Sequence, residues 1–506
     1  MSKFKLVIKN TLFLYVRMVI SILANIFITR ILLDALGASD YGLYNVVGGA
    51  ILMLGFLTST LSHTSQRFIN YAEGKGELEN VKYVFNNILI VHYIVSVLFV
   101  LLLVVAGFLF FNGVLNIPEG RVEAAIVIYI CLIISTAFSV IVVPYDGILN
   151  AHENMFIYSL IGILDVILKL LIALIILFTS CDKLILYGIL MALESWIIRA
   201  ITKRYCKKHY LECRKEELKK YYDKNRIKEF TSFAGWNLVN IASGMTSLYG
   251  RNIAVNHYFG TIFNAALGIA TQLSGVIMGV SANMIKAITP ILVKNEASNN
   301  RNDVLNITCL GCRFSYLLFS FFCIPIFFNI DYILNSWLTN VPQHTAVFCK
   351  LLIIAHLIEQ LVSFLYQTVI AQGNVKKYNI CRSLVNIMSL VSSLFMFYIG
   401  FEAYWSVINW IIWYSIGGGL VNVYFCKINV GLSVIKYVKE VLSPCFSVTI
   451  FSVILNVIIQ LFTININLSP LFLILFSLFI SIFIYWYLGL DKTERRLIVK
   501  YINSKI

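Results

Sequence analysis

Apolar residues run along this chain in blocks of about 20, without the strict alternation of a strand wetted on one face, and short stretches rich in lysine and arginine separate the blocks. About 20 apolar residues carry an α-helix across a bilayer core. On that measure the pattern predicts fourteen spans, at residues 11–33, 42–61, 84–111, 122–143, 156–180, 184–201, 231–255, 262–285, 307–328, 346–370, 379–399, 403–424, 441–462 and 468–490. An outer-membrane barrel would instead alternate over segments of about ten residues. Composition agrees: 59% of the 506 residues are hydrophobic and 13% charged, a balance no soluble domain of this length carries. The expected class is an all-α polytopic membrane protein. The opening "MSKFKLVIKN" is basic, but the apolar run after it lacks a small-residue cleavage site, so a retained first helix is expected rather than a signal peptide.

Charge orients the spans. With the N-terminus on the cytoplasmic side, alternate loops hold 31 of the 40 lysines and arginines, while the opposite loops hold essentially Arg121 and Lys183. This is the positive-inside rule obeyed at nearly every loop, and it places both termini in the cytoplasm. Every outward loop is short, the longest being 329–345. No external segment is large enough to fold into a polymerase or glycosyltransferase site, and there is no Walker motif, HExxH or GxSxG. The expectation is a protein that is not an enzyme. Eleven cysteines are scattered, and the Cys309/Cys312 pair has no second pair to complete a metal site.

The organisation expected is an N-terminal six-helix bundle (1–201), a basic cytoplasmic linker (202–230), a C-terminal six-helix bundle (231–424), and helices 13 and 14 with a basic tail (425–506). The linker reads as a solvated amphipathic connector. Internal repetition supports the two bundles. At an offset of 223, Gly37 aligns with Gly260 and Glu73 with Glu296; at an offset of 220, "AHENMFIY" (151–158) aligns with "AQGNVKKY" (371–378). A duplicated unit of six helices gives two parallel pseudo-symmetric halves, with a site expected where they meet.

The candidate chemistry lies in charges inside the spans, where an ionisable side chain is costly and therefore a functional candidate. On the first helix Arg17, Ser21, Ala24, Asn25 and Ile28 share a stripe at 100° per residue. Arg30 lies on another face near the outer end. The repeat-related seventh helix carries Asn237, Asn240, Gly244, Ser247 and Arg251 on one side. The substrate-binding candidates are therefore Arg17, Asn25, Arg30, Asn237, Asn240 and Arg251, since a guanidinium fork in a dry cavity suits an anion with paired oxygens. Asp165, Glu194 and Glu359 are candidates for coupling to a proton or sodium gradient. Asp165 and Lys169 are spaced i,i+4 and can also neutralise one another. No cofactor or metal is expected.

The opening "KNTLFLYVRMVISILANIFITRILLDALGASDYGLYNVVGGAI", through Arg30, Leu36-Gly37 and Asp40-Tyr41-Gly42, resembles the N-terminal signature of the polysaccharide transporters. These are the O-antigen and capsule repeat-unit (Wzx-like) flippases of the multidrug/oligosaccharidyl-lipid/polysaccharide (MOP) exporter superfamily. The resemblance implies a multi-pass protein of the bacterial plasma (inner) membrane. Its substrate would be an undecaprenyl-diphosphate-linked oligosaccharide, moved from the inner to the outer leaflet by alternating access for O-antigen, capsule or exopolysaccharide synthesis. It also implies partners among the polymerase and chain-length machinery, diphosphate or acidic-sugar contacts at Arg17 and Arg251, and a lipid-tail border along helices 13 and 14. Nucleic acid has no place in this picture. Two other functions compete: a drug or organic-cation antiporter of the same superfamily, which would want an acidic cavity, and an integral-membrane polysaccharide polymerase.

Overall fold

The computed structural model describes residues 3–52, 55–111, 120–214, 217–338, 341–463, 469–492, 494–496 and 499. Among them, eleven helices are long and apolar enough to cross a membrane. The bent pair Thr345–Leu361 and Ser363–Gln372, which meet at 44°, makes a twelfth. The two remaining expected spans, 42–61 and 231–255, are helical over their described residues but are not among these membrane-capable helices. The chain divides into two compact units, Met1–Leu238 with Glu296–Ser298, and Val239–Asn295 with Asn299–Ile506.

The first unit holds α1 (Lys3–Leu52), α2 (Gly55–Gly74), α3 (Leu78–Leu109), α4 (Val122–Ala151), α5 (Met155–Phe178), α6 (Lys183–His209), α7 (Leu218–Tyr221) and the start of α8 (Lys224–Phe259). α5 packs along α1 and α6 along α4. Two helix starts are set by side-chain caps: the Asn154 side chain accepts from the Ile157 amide, and Asp182 accepts from Leu184 and Ile185 at 3.1 Å. The segment expected as a solvated linker instead folds onto this unit. Cys206, Cys213 and Phe230 are buried in the same core cluster as Phe85, Tyr145 and Ile148. Asn87 donates to the Tyr221 carbonyl at 2.6 Å. Glu212 receives His152 Nε2 at 2.6 Å, while His152 stacks on Tyr210 with ring centroids 4.2 Å apart. The basic residues of 202–230 had masked a set of apolar anchors spaced among them.

The second unit continues α8 and adds α9 (Thr261–Ala297), α10 (Arg301–Phe328), α11 (Ile330–Trp337), α12 (Thr345–Leu361), α13 (Ser363–Gln372), α14 (Lys376–Tyr398), α15 (Trp405–Asn409), α16 (Gly418–Val430), α17 (Val434–Tyr437), α18 (Ser443–Thr463) and α19 (Pro470–Ile484). A π-helical stretch, Trp410–Gly417, joins α15 to α16. The segment 425–506 is not a separate body, because α18 and α19 pack on α10 inside this unit.

The backbone carries the repetition more clearly than the side chains do. Left-handed residues occur at Gly37 and Gly260, at Gly76 and Asn299, at Gly120 and His344, and at Glu153 and Gly373. These pairs share the offsets read from the sequence or differ from them by one residue. Gly37 interrupts α1 with φ 75° and ψ 165°, a combination open essentially to glycine alone. A Cβ there would touch nothing, so the penalty of a substitution is purely conformational. Gly37→Ala is expected to lower stability by about 1–3 kcal/mol, read as a fall in the thermal midpoint of the detergent-solubilised chain.

The break at Gly37 also explains Asp40. Its buried carboxylate receives the Arg121 guanidinium, which reaches Asp182 with its other branch at 2.6 Å. One arginine thus ties the bend of α1 to the starts of α4 and α6. Partial burial would raise the Asp182 carboxyl, but the Ile185 amide and the Arg121 charge outweigh it and hold it below the usual carboxylate range.

Candidate functional site

Two irregular pieces of backbone face one cavity inside the second unit. The bend between α12 and α13 contributes Val362 and Ser363, and the π-helical stretch contributes Trp410, Tyr414 and Ser415. Broken and π-helical segments in membrane proteins are tolerated where they line a cavity or a functional site. The volume, about 550 Å³, falls inside the roughly 300–1,000 Å³ typical of small-molecule sites.

Four side chains form a stack along the cavity wall. Trp410 and Tyr414, one helical turn apart, lie face to face with centroids 3.9 Å apart and planes 16° from parallel. The Arg251 guanidinium lies 4.7 Å from the Trp410 ring and the Arg382 guanidinium 4.6 Å from the Tyr414 ring. Rings this close leave no room between them, so each guanidinium caps an outer face, and the stack reads arginine, tryptophan, tyrosine, arginine. Arg382 donates Nη1 to the Tyr414 carbonyl at 3.0 Å. It runs so close to Gly418 that any Cβ at that position would overlap the guanidinium.

Glu359 fixes the stack. Its Oε1 accepts from the Trp410 indole N–H at 3.2 Å and from Ser415 at 2.9 Å, and its Oε2 lies 2.9 Å from His356 Nδ1. The sequence showed no local partner for Glu359; the structure supplies three. Asn386 donates to Asn240 Oδ1 at 3.2 Å and to Ser243 at 3.0 Å.

What remains unsatisfied is informative. Arg251 is 3% exposed, and its Nε and Nη1 have no hydrogen-bond partner. The Asn386 Oδ1 acceptor is also buried without one. Leaving charged donors buried and unmade costs about 1–3 kcal/mol or more. Both residues line the cavity, and these unmatched atoms lie buried in its wall.

Of the sequence candidates, Asn240, Arg251 and Glu359 come together here. Asn237 is buried and belongs to the first unit. The polar stripe of α1 does not stay polar: Ile28 is buried in a cluster with Ile172, Ala173 and Tyr187. Arg17 lies in the α1–α5 packing, 4.8 Å from the Tyr158 ring and pressed onto Gly162. Asn25 and Arg30 are exposed on α1. Asp165 accepts from Lys169 at 2.8 Å, and its carboxyl faces that of Glu194, with Arg199 nearby. Glu194 is 4% exposed with Oε1 unpartnered. Sequence reasoning missed Arg382, Trp410 and Tyr414. Arg382 looks like a loop charge because it follows Lys376 and Lys377, but the repeat offsets could have found it. Arg17 maps to Asn240 at 223, and Gly162, which Arg17 touches, maps to Arg382 at 220.

The arrangement of helices matches solved transporter structures. A MATE protein in the bent conformation aligns with a TM-score of 0.73 at 13% identity, covering 84% of this chain and 95% of that one. The fold is that of the MATE transporters. An outward-facing multidrug resistance MATE family transporter of the MOP superfamily aligns at 0.68 with 14% identity, over 84% and 96% of the two chains. A MOP superfamily transporter from Pyrococcus furiosus, described by the reverse polarity of its binding pocket, aligns at 0.68 with 14% identity over 84% and 97%. No family model and no curated protein matches the sequence. With its many membrane-capable helices and the MATE fold, this chain is a multi-pass membrane protein.

Proposed function

We propose that this protein is a flippase for undecaprenyl-diphosphate-linked oligosaccharides. It would carry polysaccharide repeat units from the cytoplasmic to the outer leaflet of the bacterial plasma membrane, with both termini cytoplasmic. One observation carries the reading: Arg251, a cavity-lining guanidinium with two unmatched nitrogens buried in the wall, in a lining that also includes Asn386 with an unmatched amide oxygen. Phosphate or carboxylate oxygens would complete the arginine, and sugar hydroxyls the amide. The net positive charge of the chain supports the same polarity, and the resemblance to the polysaccharide transporters around Arg30 and Asp40 agrees with it. For the MOP transporter from Pyrococcus furiosus, reversed pocket polarity suggests a different function; on our reading polarity separates this chain from the drug and organic-cation antiporters too. A cation would meet two guanidiniums and a carboxylate already engaged by three neighbours.

Coupling falls to the first unit. The facing Asp165 and Glu194 carboxyls can share one proton, with Lys169 and Arg199 balancing the charge. Glu359, a coupling candidate by sequence, acts instead as a positioning residue for Trp410 and hence for Arg251. Glu359→Gln is expected to weaken substrate transport roughly tenfold while leaving its dependence on the proton gradient unchanged. Transport rates at two imposed pH gradients check this. If Glu359 were the coupling group, the gradient dependence would vanish.

The reading itself is tested in bacterial cells lacking their own flippase, supplied with a cognate lipid-linked repeat unit. Restored surface glycan is the expected result. A chain that reaches the membrane at normal levels and restores none would contradict it.

A further inference from the structure

Both ends of the aromatic pair are charged. Arg251 and Arg382 cap opposite faces of the Trp410–Tyr414 stack, at 4.7 and 4.6 Å from the ring centroids. Two consequences follow. Neither outer face of this pair is open, so a sugar cannot stack on it, and the pair contributes to recognition through the two charges that cap it. The two guanidiniums are also held apart by two ring layers, with the rings themselves 3.9 Å apart, a separation that one phosphate group cannot bridge.

The spacing is built to last. Glu359 holds the indole at 3.2 Å, the Tyr414 carbonyl holds Arg382 at 3.0 Å, and Gly418 leaves room for that guanidinium where any other residue would not. The lining of the same cavity also includes the amide and hydroxyl side chains of Asn240, Asn386 and Ser415, with the Asn386 Oδ1 acceptor unmatched.

We infer that this cavity takes a ligand with two separated anionic groups joined by a hydroxylated segment, one anion at Arg251 and the other at Arg382. The inference rests on the flippase reading and narrows its substrate class to a lipid-diphosphate-linked repeat unit that carries an acidic sugar. The diphosphate supplies one anion and a sugar carboxylate the other, with the intervening hydroxyls facing Asn386.

The test uses the full chain in lipid nanodiscs and two synthetic probes. Both are short-chain polyprenyl diphosphates bearing the same trisaccharide, except that the terminal sugar is a hexuronic acid in one and the corresponding neutral hexose in the other. The intact protein is expected to bind the acidic probe roughly ten- to a hundredfold more tightly, the size of one charge-assisted hydrogen-bonded contact. Arg382→Gln collapses that ratio towards one, and Arg382→Lys, which keeps a point charge, retains part of it. Arg251→Gln lowers the affinity for both probes. Thermal melting of each variant confirms that it is folded before its ratio is read. Equal binding of the two probes by the intact chain, or an unchanged ratio in folded Arg382→Gln, overturns the two-anion assignment and leaves the flippase reading standing. If neither probe binds the intact chain, the flippase reading falls, and this assignment with it.

Discussion

Replacing Arg251 with glutamine is expected to reduce translocation of a lipid-linked oligosaccharide by at least tenfold, with the amount of folded protein in the membrane nearly unchanged. The two halves of this expectation have different causes. The guanidinium makes no ion pair among the described residues, and its Nε and Nη1 are unmatched, so its removal breaks few internal bonds. Its cation–π contact with Trp410 is worth about 0.5–2 kcal/mol, and relief of the unmatched buried donors offsets part of that. Substrate binding loses charge-assisted hydrogen bonds of about 1.5–3 kcal/mol, which is roughly ten- to a hundredfold. A radiolabelled-substrate translocation assay at matched expression reads the first half, and size-exclusion profiles read the second. Normal transport by this variant would make Arg251 a packing residue.

The second large effect concerns stability rather than transport. Arg313 in α10 is buried against Glu494, which is itself buried, and Arg313 also donates to the Glu440 carbonyl at 3.2 Å. Removing one member of a buried ion pair leaves the other charge without compensation, at a cost of about 3–5 kcal/mol. Arg313→Met is therefore expected to lower the thermal midpoint sharply, and Arg313→Met with Glu494→Met to regain most of the loss. Burial already holds the Glu494 carboxyl above its ordinary value, with Arg313 pulling the other way. Without Arg313 the carboxyl rises further. A raised carboxyl favours the protonated native state, so the deficit of the single variant is largest above the folded pKa and shrinks as the pH falls through it. Melting curves from neutral pH down to mildly acidic pH check the sign.

The all-helical class was legible because about 20 apolar residues in a row have one solution in a bilayer. The turn positions of the repeat were legible too, because Gly37 and Gly260 mark left-handed backbone and glycine is the usual residue there. Arg251, Asn240 and Glu359 were found because charge and amide side chains in apolar helices stand out. Arg17 was found by the same rule, yet it packs on Gly162 and Tyr158 in the first unit; an arginine's depth in a helix does not reveal what its neighbours offer. Trp410 and Tyr414 were invisible because aromatic residues are ordinary in membrane helices, and a π-helical turn leaves no mark in periodicity. The linker was misjudged for the opposite reason: its many charges hid Cys206, Cys213 and Phe230, each of which faces the core.

The central claim is that an anionic lipid-linked saccharide, not an organic cation, crosses with this protein. Its most direct measurement is transport by the purified full chain in proteoliposomes, comparing a fluorescent polyprenyl-diphosphate-linked oligosaccharide with a fluorescent organic cation under the same proton gradient. The account predicts movement of the lipid-linked saccharide between leaflets, lost in Arg251→Gln, and no movement of the cation. Transport of the cation with the lipid-linked saccharide left in place would contradict it.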